Sequence, residues 1–232
     1  MPTWSNSHSM RCLAERTGGR AWCSVSDICF PERPGSEQMS ETAFWDLPHG
    51  IRLAGRVAGP VGQPVVVFLH GFPEGSFVWE TQMAALAGKG FRCVAPDLRG
   101  FGGSSAPQDV AAYRPRHLVS DINALIAMVS PQQPVECLVA HDWGGAIAWN
   151  LANQNPKRLR RLAILNAPHP GTFLRDLQSS PAQQAASAYM NELTAPQAEA
   201  HRQQVQPLQP DACDGLAEVG GLLLGGDARA EL

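Results

Sequence analysis

The clearest pattern in the chain is a series of short, continuous apolar runs. The run at 64–69 is apolar on both faces, which is typical of a strand buried in a parallel sheet, and short strand-like runs follow at 91–95 and 162–165. Over 77–87 and 118–129, apolar residues recur at intervals of three and four, which predicts amphipathic helices. The chain therefore alternates between predicted strands and predicted helices.

Two short strand-like runs precede this alternation, at 43–47 and 51–57. They flank Pro48, His49 and Gly50, which are typical turn residues, so we predict a hairpin there. Strand–helix alternation after a hairpin favours the α/β class, with a doubly wound, mostly parallel sheet.

The pattern also divides the chain into four segments. Residues 1–38 show no sustained period, and we expect them to be disordered or a mis-called extension, with a real N-terminal arm as the alternative. Residues 39–170 carry the alternation and should form the core. Residues 171–200 are helical in pattern. Residues 201–232 form an irregular tail rich in Gln, Pro, Gly and Ala, which a functional tail, a damaged reading frame or a truncated product would explain.

Composition narrows the class of protein without naming its chemistry. A net charge of −3 over 232 residues predicts neither a nucleic-acid partner nor an anionic membrane partner. We find no bilayer-length apolar run and no secretory signal pattern, so we predict a cytoplasmic protein. The six cysteines are too few for a disulfide framework, and no His/Cys spacing fits a metal. We therefore expect no metal and no cofactor, and the oligomeric state stays open.

Residues 135–145 carry the strongest chemical signal. An apolar run leads through Ala140 and His141 to Asp142, and Gly144 then opens a helical pattern. The spacing small-x-Asp-x-Gly is that of a nucleophile elbow, with Asp142 where lipases carry serine. The N–H groups at the helix start favour an ionised carboxylate. The alternative is that Asp142 is an ordinary N-cap.

Three loops at the ends of successive predicted strands strengthen the first interpretation. They are 70–73 (His-Gly-Phe-Pro), 97–105, which is rich in glycine, and 141–145 (His-Asp-Trp-Gly-Gly). Together they resemble the α/β-hydrolase superfamily over about 42–200, and within it the epoxide hydrolases and haloalkane dehalogenases, which use an Asp nucleophile. Phe72 favours the epoxide hydrolases, because dehalogenases often carry Asn there. Dehalogenation is the alternative.

The resemblance implies a reaction on a small apolar epoxide or a related small molecule. The Asp142 carboxylate would open the epoxide to an alkyl-enzyme ester, which water then hydrolyses to a diol. The main-chain N–H groups of Phe72 and Trp143 would form the oxyanion hole. Supporting roles fall to neighbouring residues of the two motifs: His70, Gly71, Pro73, His141 and Gly144.

Epoxide opening also needs an acid for the departing oxygen, which the family supplies from tyrosines of a helical cap. Tyr189 resembles the first cap tyrosine, so 171–200 would be a partial cap. The alternative for Tyr189 is an aromatic that packs cap on core. Tyr113 is more consistent with a structural role, and Asp97 and Arg99 are candidates for an ion pair.

The acid and the histidine that should complete the triad are not found. Asn166 and its neighbours offer no carboxylate after the strand at 162–165. His169 and His201 are the only histidines after Asp142. His169 belongs to the Ala-Pro-His-Pro entry to the cap, and His201 lies where the sequence loses its pattern. We therefore expect the last core strands to be missing and the activity of this chain to be impaired. The third hypothesis is a non-catalytic truncated remnant.

Overall fold

A six-stranded sheet, with helices packed against both faces, forms the centre of the molecule. A computed structural model describes residues 40–193. The strands are β1 (Glu41–Asp46), β2 (Arg52–Ala58), β3 (Val65–Leu69), β4 (Arg92–Pro96), β5 (Cys137–His141) and β6 (Leu162–Leu165). The helices are α1 (Glu80–Ala87), α2 (Pro115–Val129), α3 (Asp142–Gln154), α4 (Pro170–Ser179), α5 (Pro181–Ala186) and α6 (Tyr189–Leu193), with short 3-10 turns at Ser76–Trp79, Val110–Tyr113 and Pro156–Arg158.

The strand order is β1-β2-β4-β3-β5-β6. The first two strands form the predicted hairpin, and β2 also runs antiparallel to β4. The pairs β3–β4, β3–β5 and β5–β6 are parallel. The prediction of a mostly parallel sheet is therefore confirmed.

Successive residues of β3 point to opposite faces of the sheet. Val67 and Leu69 join a core cluster with residues of α2 and α3, whereas Val66 and Phe68 join a second cluster with residues of α1. A strand that is buried on both faces must be apolar throughout, which explains its continuous apolar run. Helices therefore cover both faces, and the doubly wound arrangement is confirmed.

Proline marks where several helices begin. Pro115, Pro170 and Pro181 each occupy the first turn of α2, α4 and α5. The missing N–H of proline costs nothing at that position, because the first N–H groups of a helix have no partner within it. The predicted helix at 77–87 begins later than expected, since a 3-10 turn at Ser76–Trp79 precedes α1.

The predictions about 1–38 and 201–232, and about strands after β6, lie outside the described residues. Within 40–193, no helix has both the length and the apolarity needed to cross a bilayer.

Candidate functional site

Four parallel strands bring the candidate loops to one edge of the sheet. The neighbours β4, β3, β5 and β6 all end at this edge, because they run in the same direction. The residues that follow these strands include Leu98, His70, Asp142 and Asn166. Ligand sites in open α/β sheets form outside the carboxyl ends of the strands.

Asp142 lies in a very tight turn between β5 and α3. Its φ is 48°, in the left-handed region that few residues other than glycine adopt. Two neighbouring positions have no room for a side chain. A Cβ at Gly71 would lie 2.6 Å from Cβ of Asp142, and one at Gly144 would lie 2.6 Å from the carbonyl oxygen of His70. The glycines therefore allow β3 and α3 to approach closely at this carboxylate.

The Asp142 carboxylate accepts a hydrogen bond from the loop that follows β3. The main-chain N–H of Phe72 donates to Oδ1 at 3.0 Å, and the Phe72–Pro73 peptide bond is cis. The Phe72 ring stacks on Trp143, with centroids 4.9 Å apart. Among residues 40–193 the carboxylate accepts from Phe72 but not from the main chain of Trp143. The structure thus brings Asp142 and Phe72 into direct contact, with Trp143 beside them.

His70 is fully buried and contacts both this loop and the loop that follows β4. The main-chain N–H of Leu98 donates to its Nε2 at 2.9 Å, and its Nδ1 lies 2.8 Å from the carbonyl oxygen of Gly71. A main-chain N–H can only donate, so Nε2 must be unprotonated and Nδ1 carries the hydrogen. Burial lowers the pKa of His70, against the opposing effects of the Gly71 carbonyl and nearby carboxylates, which agrees with a neutral ring.

Glu74 is a site residue that our sequence analysis missed. Its Oε2 accepts from the main-chain N–H of Gly71 at 3.0 Å and lies 3.1 Å from Nδ1 of His141. It therefore joins the loop after β3 to the residue that precedes Asp142. The sequence signal that could have identified Glu74 was its carboxylate, which lies in the loop after the predicted strand at 64–69.

Asn166 approaches the same histidine from the next strand. Its Nδ2 lies 3.4 Å from Nε2 of His141, and its φ of 52° is again left-handed. Asn166 thus occupies the position where a triad carboxylate was sought, and it contacts His141 as an amide.

Tyr189 lies at the start of α6 and is 50% exposed. Burial of part of the side chain raises the pKa of its hydroxyl, and the negative charge of Asp142 raises it further. The phenol therefore stays protonated at neutral pH, with a hydrogen available to donate.

Two predictions about the glycine-rich loop have different outcomes. Arg99 does not pair with Asp97; it forms a buried ion pair with Asp121 of α2, with Nη2 2.6 Å from Oδ1. Asp97 instead accepts from the main-chain N–H of Ser76. The pairing was wrong because the guanidinium of Arg99 instead reaches both carboxylate oxygens of Asp121 on α2, a segment distant in sequence. Tyr113 is buried against Gly100, consistent with a structural role.

Within residues 40–193, no three His, Cys, Asp or Glu side chains lie together as metal ligands would. His169 is used as an N-cap of α4, where its Nδ1 accepts from the main-chain N–H of Gly171 at 3.2 Å. His201 lies outside the described residues.

Comparison with known proteins identifies the family. A family model described as the alpha/beta hydrolase fold matches residues 64–201, more than half of the chain. The chain belongs to the α/β hydrolase family. In this fold the turn from strand to helix is where catalytic members carry their nucleophile. In this chain Asp142 lies at the turn from β5 to α3, and the loop that follows β3 contacts it.

Individual relatives of this α/β hydrolase include epoxide hydrolases. The AB hydrolase superfamily protein YfhM of Bacillus subtilis is 37% identical over 142 residues, 61% of this chain and 49% of YfhM. Epoxide hydrolase 3 of Xenopus tropicalis is 39% identical over 141 residues, again 61% of this chain and 38% of the relative. The chain thus spans half or less of the length of these two relatives.

A solved structure agrees with this assignment. A novel epoxide hydrolase from metagenomes of hot environments superposes with a TM-score of 0.66 and 36% identity. The match covers 78% of this α/β hydrolase and 68% of that chain.

Proposed function

We propose that this chain is an epoxide hydrolase-type enzyme in which Asp142 attacks a small apolar epoxide. The observation that carries the proposal is the hydrogen bond from the Phe72 N–H to Oδ1 of Asp142. This bond leaves Oδ2 as the attacking atom. Oδ2 forms a bond to an epoxide carbon, the carbon–oxygen bond of the ring breaks, and the departing oxygen takes a proton.

The same geometry prepares the ester for hydrolysis. Once Oδ2 is alkylated, Oδ1 becomes the carbonyl oxygen of the ester. Attack by water would place negative charge on Oδ1, where the Phe72 N–H already points. A donor that is in place before the charge develops needs no reorganisation during the reaction. We propose the Trp143 N–H as the second donor.

Tyr189 is the proposed acid for the first step. Its phenol is half exposed, and burial and the charge of Asp142 both raise its pKa, so the hydroxyl keeps the proton that the departing oxygen needs. Tyr189 lies in α6, and the helices α4 to α6 support the proposed assignment of 171–200 as part of a cap. Names of relatives such as epoxide hydrolase 3 support an epoxide as the substrate.

The second step needs a base, and this is where we propose that the chain is impaired. Beside Asp142, the residues described at 40–193 offer the imidazole of His141, but its Nδ1 faces Glu74 and its Nε2 faces Asn166. Neither nitrogen of His141 therefore has a free lone pair directed at Asp142. His169 is occupied as a helix cap. With the groups described at 40–193 alone, the ester should form and accumulate.

The decisive experiment is intact mass spectrometry of the full chain after incubation with an aryl epoxide such as styrene oxide. The control is Asp142→Ala. A stable adduct of one epoxide per chain in the parent alone would support both the attack by Asp142 and the proposed loss of ester hydrolysis. Diol without adduct would support the enzyme and refute the impairment, and His141 and His169 would be mutated next.

Neither adduct nor diol from a folded chain would refute the enzyme proposal and leave a non-catalytic remnant. A parallel incubation with 1-bromobutane tests the dehalogenase alternative. Bromide release that depends on Asp142, without any reaction of the epoxide, would replace epoxide opening by dehalogenation.

A further inference from the structure

A single peptide group links His70 to the candidate nucleophile. The carbonyl oxygen of Gly71 and the N–H of Phe72 belong to the same peptide plane. The oxygen lies 2.8 Å from Nδ1 of His70, and the N–H donates to Oδ1 of Asp142 at 3.0 Å. Rotation of this plane would move the N–H away from the carboxylate, so the His70 ring fixes the direction in which the donor points. Hydrogen bonds in such a chain also polarise one another.

The His70 ring is in turn fixed by one main-chain N–H. Leu98 donates to Nε2 at 2.9 Å, which sets both the orientation of the ring and the nitrogen that carries the hydrogen. Leu98 is held on its N-terminal side, because the main-chain N–H of Asp97 donates to the carbonyl of Ala54. On its C-terminal side the anchor is the side chain of Arg99.

Arg99 is clamped to a different layer of the fold. Its Nε and Nη2 donate to the two carboxylate oxygens of Asp121 on α2 at 2.8 and 2.6 Å, and its Nη1 donates to the carbonyl of Ala112. The two side chains are 5% and 2% exposed. A planar guanidinium that donates to two oxygens fixes direction as well as distance, which a lysine would not do.

The clamp reaches the surface through the β1–β2 hairpin. His49 of the turn lies with Nε2 2.6 Å from Oδ1 of Asp121. A continuous set of contacts therefore runs from the hairpin through Asp121, Arg99, Leu98 and His70 to the Phe72 N–H.

We propose that Arg99 and Asp121 are positioning residues for the Phe72 N–H, acting through Leu98 and the ring of His70. The catalytic consequence rests on the function proposed above, because it concerns the donor to Asp142. Loss of the clamp should free Leu98, release the tautomer of His70 and let the Gly71–Phe72 peptide rotate. A clamp that only stabilised the fold would leave the tautomer and the donor unchanged in the folded protein.

The test compares Arg99→Lys and Asp121→Asn with the matched control Arg52→Lys. Arg52 also forms a two-pronged pair, with Asp46, but that pair is exposed on the hairpin. The first readout is the nitrogen NMR spectrum of the ¹⁵N-histidine-labelled full chain, which distinguishes the two nitrogens of His70. The second is the rate of adduct formation as a function of styrene oxide concentration.

We expect the parent and Arg52→Lys to show His70 protonated at Nδ1 only, and both clamp variants to show a mixture of tautomers. Adduct formation at saturating epoxide should fall about ten- to a hundredfold in the clamp variants, as for a reacting group displaced by roughly 1 Å. The concentration for half-saturation should change little.

An unchanged His70 spectrum in a folded clamp variant would overturn the proposal. Asp121→Asn keeps the shape of the side chain, so it provides this answer where Arg99→Lys does not fold. The NMR readout does not need activity: a parent without adduct, whose clamp variants still shift the His70 tautomer, would refute the proposed function and retain the clamp.

Discussion

The main-chain N–H of Phe72 donates to Oδ1 of Asp142 at 3.0 Å, across 70 positions of sequence. The two residues meet because β3 and β5 are adjacent parallel strands that end at the same edge. Asp142 directly follows β5, and Phe72 lies shortly after the end of β3. The register of the two strands therefore fixes the separation of the two residues. The bond therefore depends on how closely the two strand ends can approach.

Gly71 allows that approach, and Gly71→Ala should remove it. The added Cβ would lie 2.6 Å from Cβ of Asp142 and 2.9 Å from Nδ1 of His141, and both distances are too short for atoms that are not bonded to each other. We expect loss of adduct formation and destabilisation of about 1–3 kcal/mol, as for overpacking. Intact mass and urea unfolding measure the two effects.

The matched control is Gly171→Ala, near the start of α4. There the nearest atoms are those of the His169 ring at 3.5 Å, an ordinary contact. Its adduct formation should equal that of the parent. Equal behaviour of the two glycine variants would contradict the steric explanation.

The backbone at Asp142 should be strained by its φ of 48°. A left-handed residue with a Cβ costs roughly 1–2 kcal/mol, a cost that glycine does not have. Both Asp142→Gly and Asp142→Ala lose the carboxylate, so they differ in this strain. Urea unfolding should show the Gly variant to be more stable than the Ala variant by about 1 kcal/mol. Equal midpoints at equal slopes would show that the turn relaxes.

The pKa of Tyr189 should report its distance from Asp142. Burial and the Asp142 charge both raise this pKa, so Asp142→Asn should lower it while leaving it above the ordinary value of tyrosine. The titration of Tyr189 is obtained from ultraviolet absorbance as the difference between each chain and its Tyr189→Phe form. Asp46→Asn, on the hairpin, is the control and should leave the curve in place. A curve that Asp142→Asn does not move would separate the two side chains and remove Tyr189 as the acid.

The buried carboxylate of Asp121 should be costly to remove. Asp121→Ala leaves the guanidinium of Arg99 buried without its partner, and we expect a loss of about 3–5 kcal/mol in the free energy of unfolding. Asp46→Ala breaks an exposed Arg–Asp pair of similar geometry and should change stability little. Urea denaturation of both variants measures the contrast, and similar midpoints would mean that water reaches Arg99.

Much of the framework could be predicted because it depends on local periodicity. Strands buried on both faces must be apolar throughout, so the run that became β3 was legible. The tight turn at Asp142 was also legible, since a close approach of strand and helix demands a small residue such as Gly144. The positions of these two elements at one sheet edge follow from the rule for parallel strands.

The contacts between side chains from distant segments were decided by the tertiary structure alone. The pairing of Arg99 with Asp121 depends on how α2 packs over the loop, and neighbouring charges in sequence pointed to Asp97 instead. Glu74, His141 and Asn166 meet only because three strands end together. Periodicity specifies which face of an element is apolar, and that is enough to determine the sheet. It does not specify which polar atoms meet above the sheet edge, because those distances depend on register, twist and helix packing.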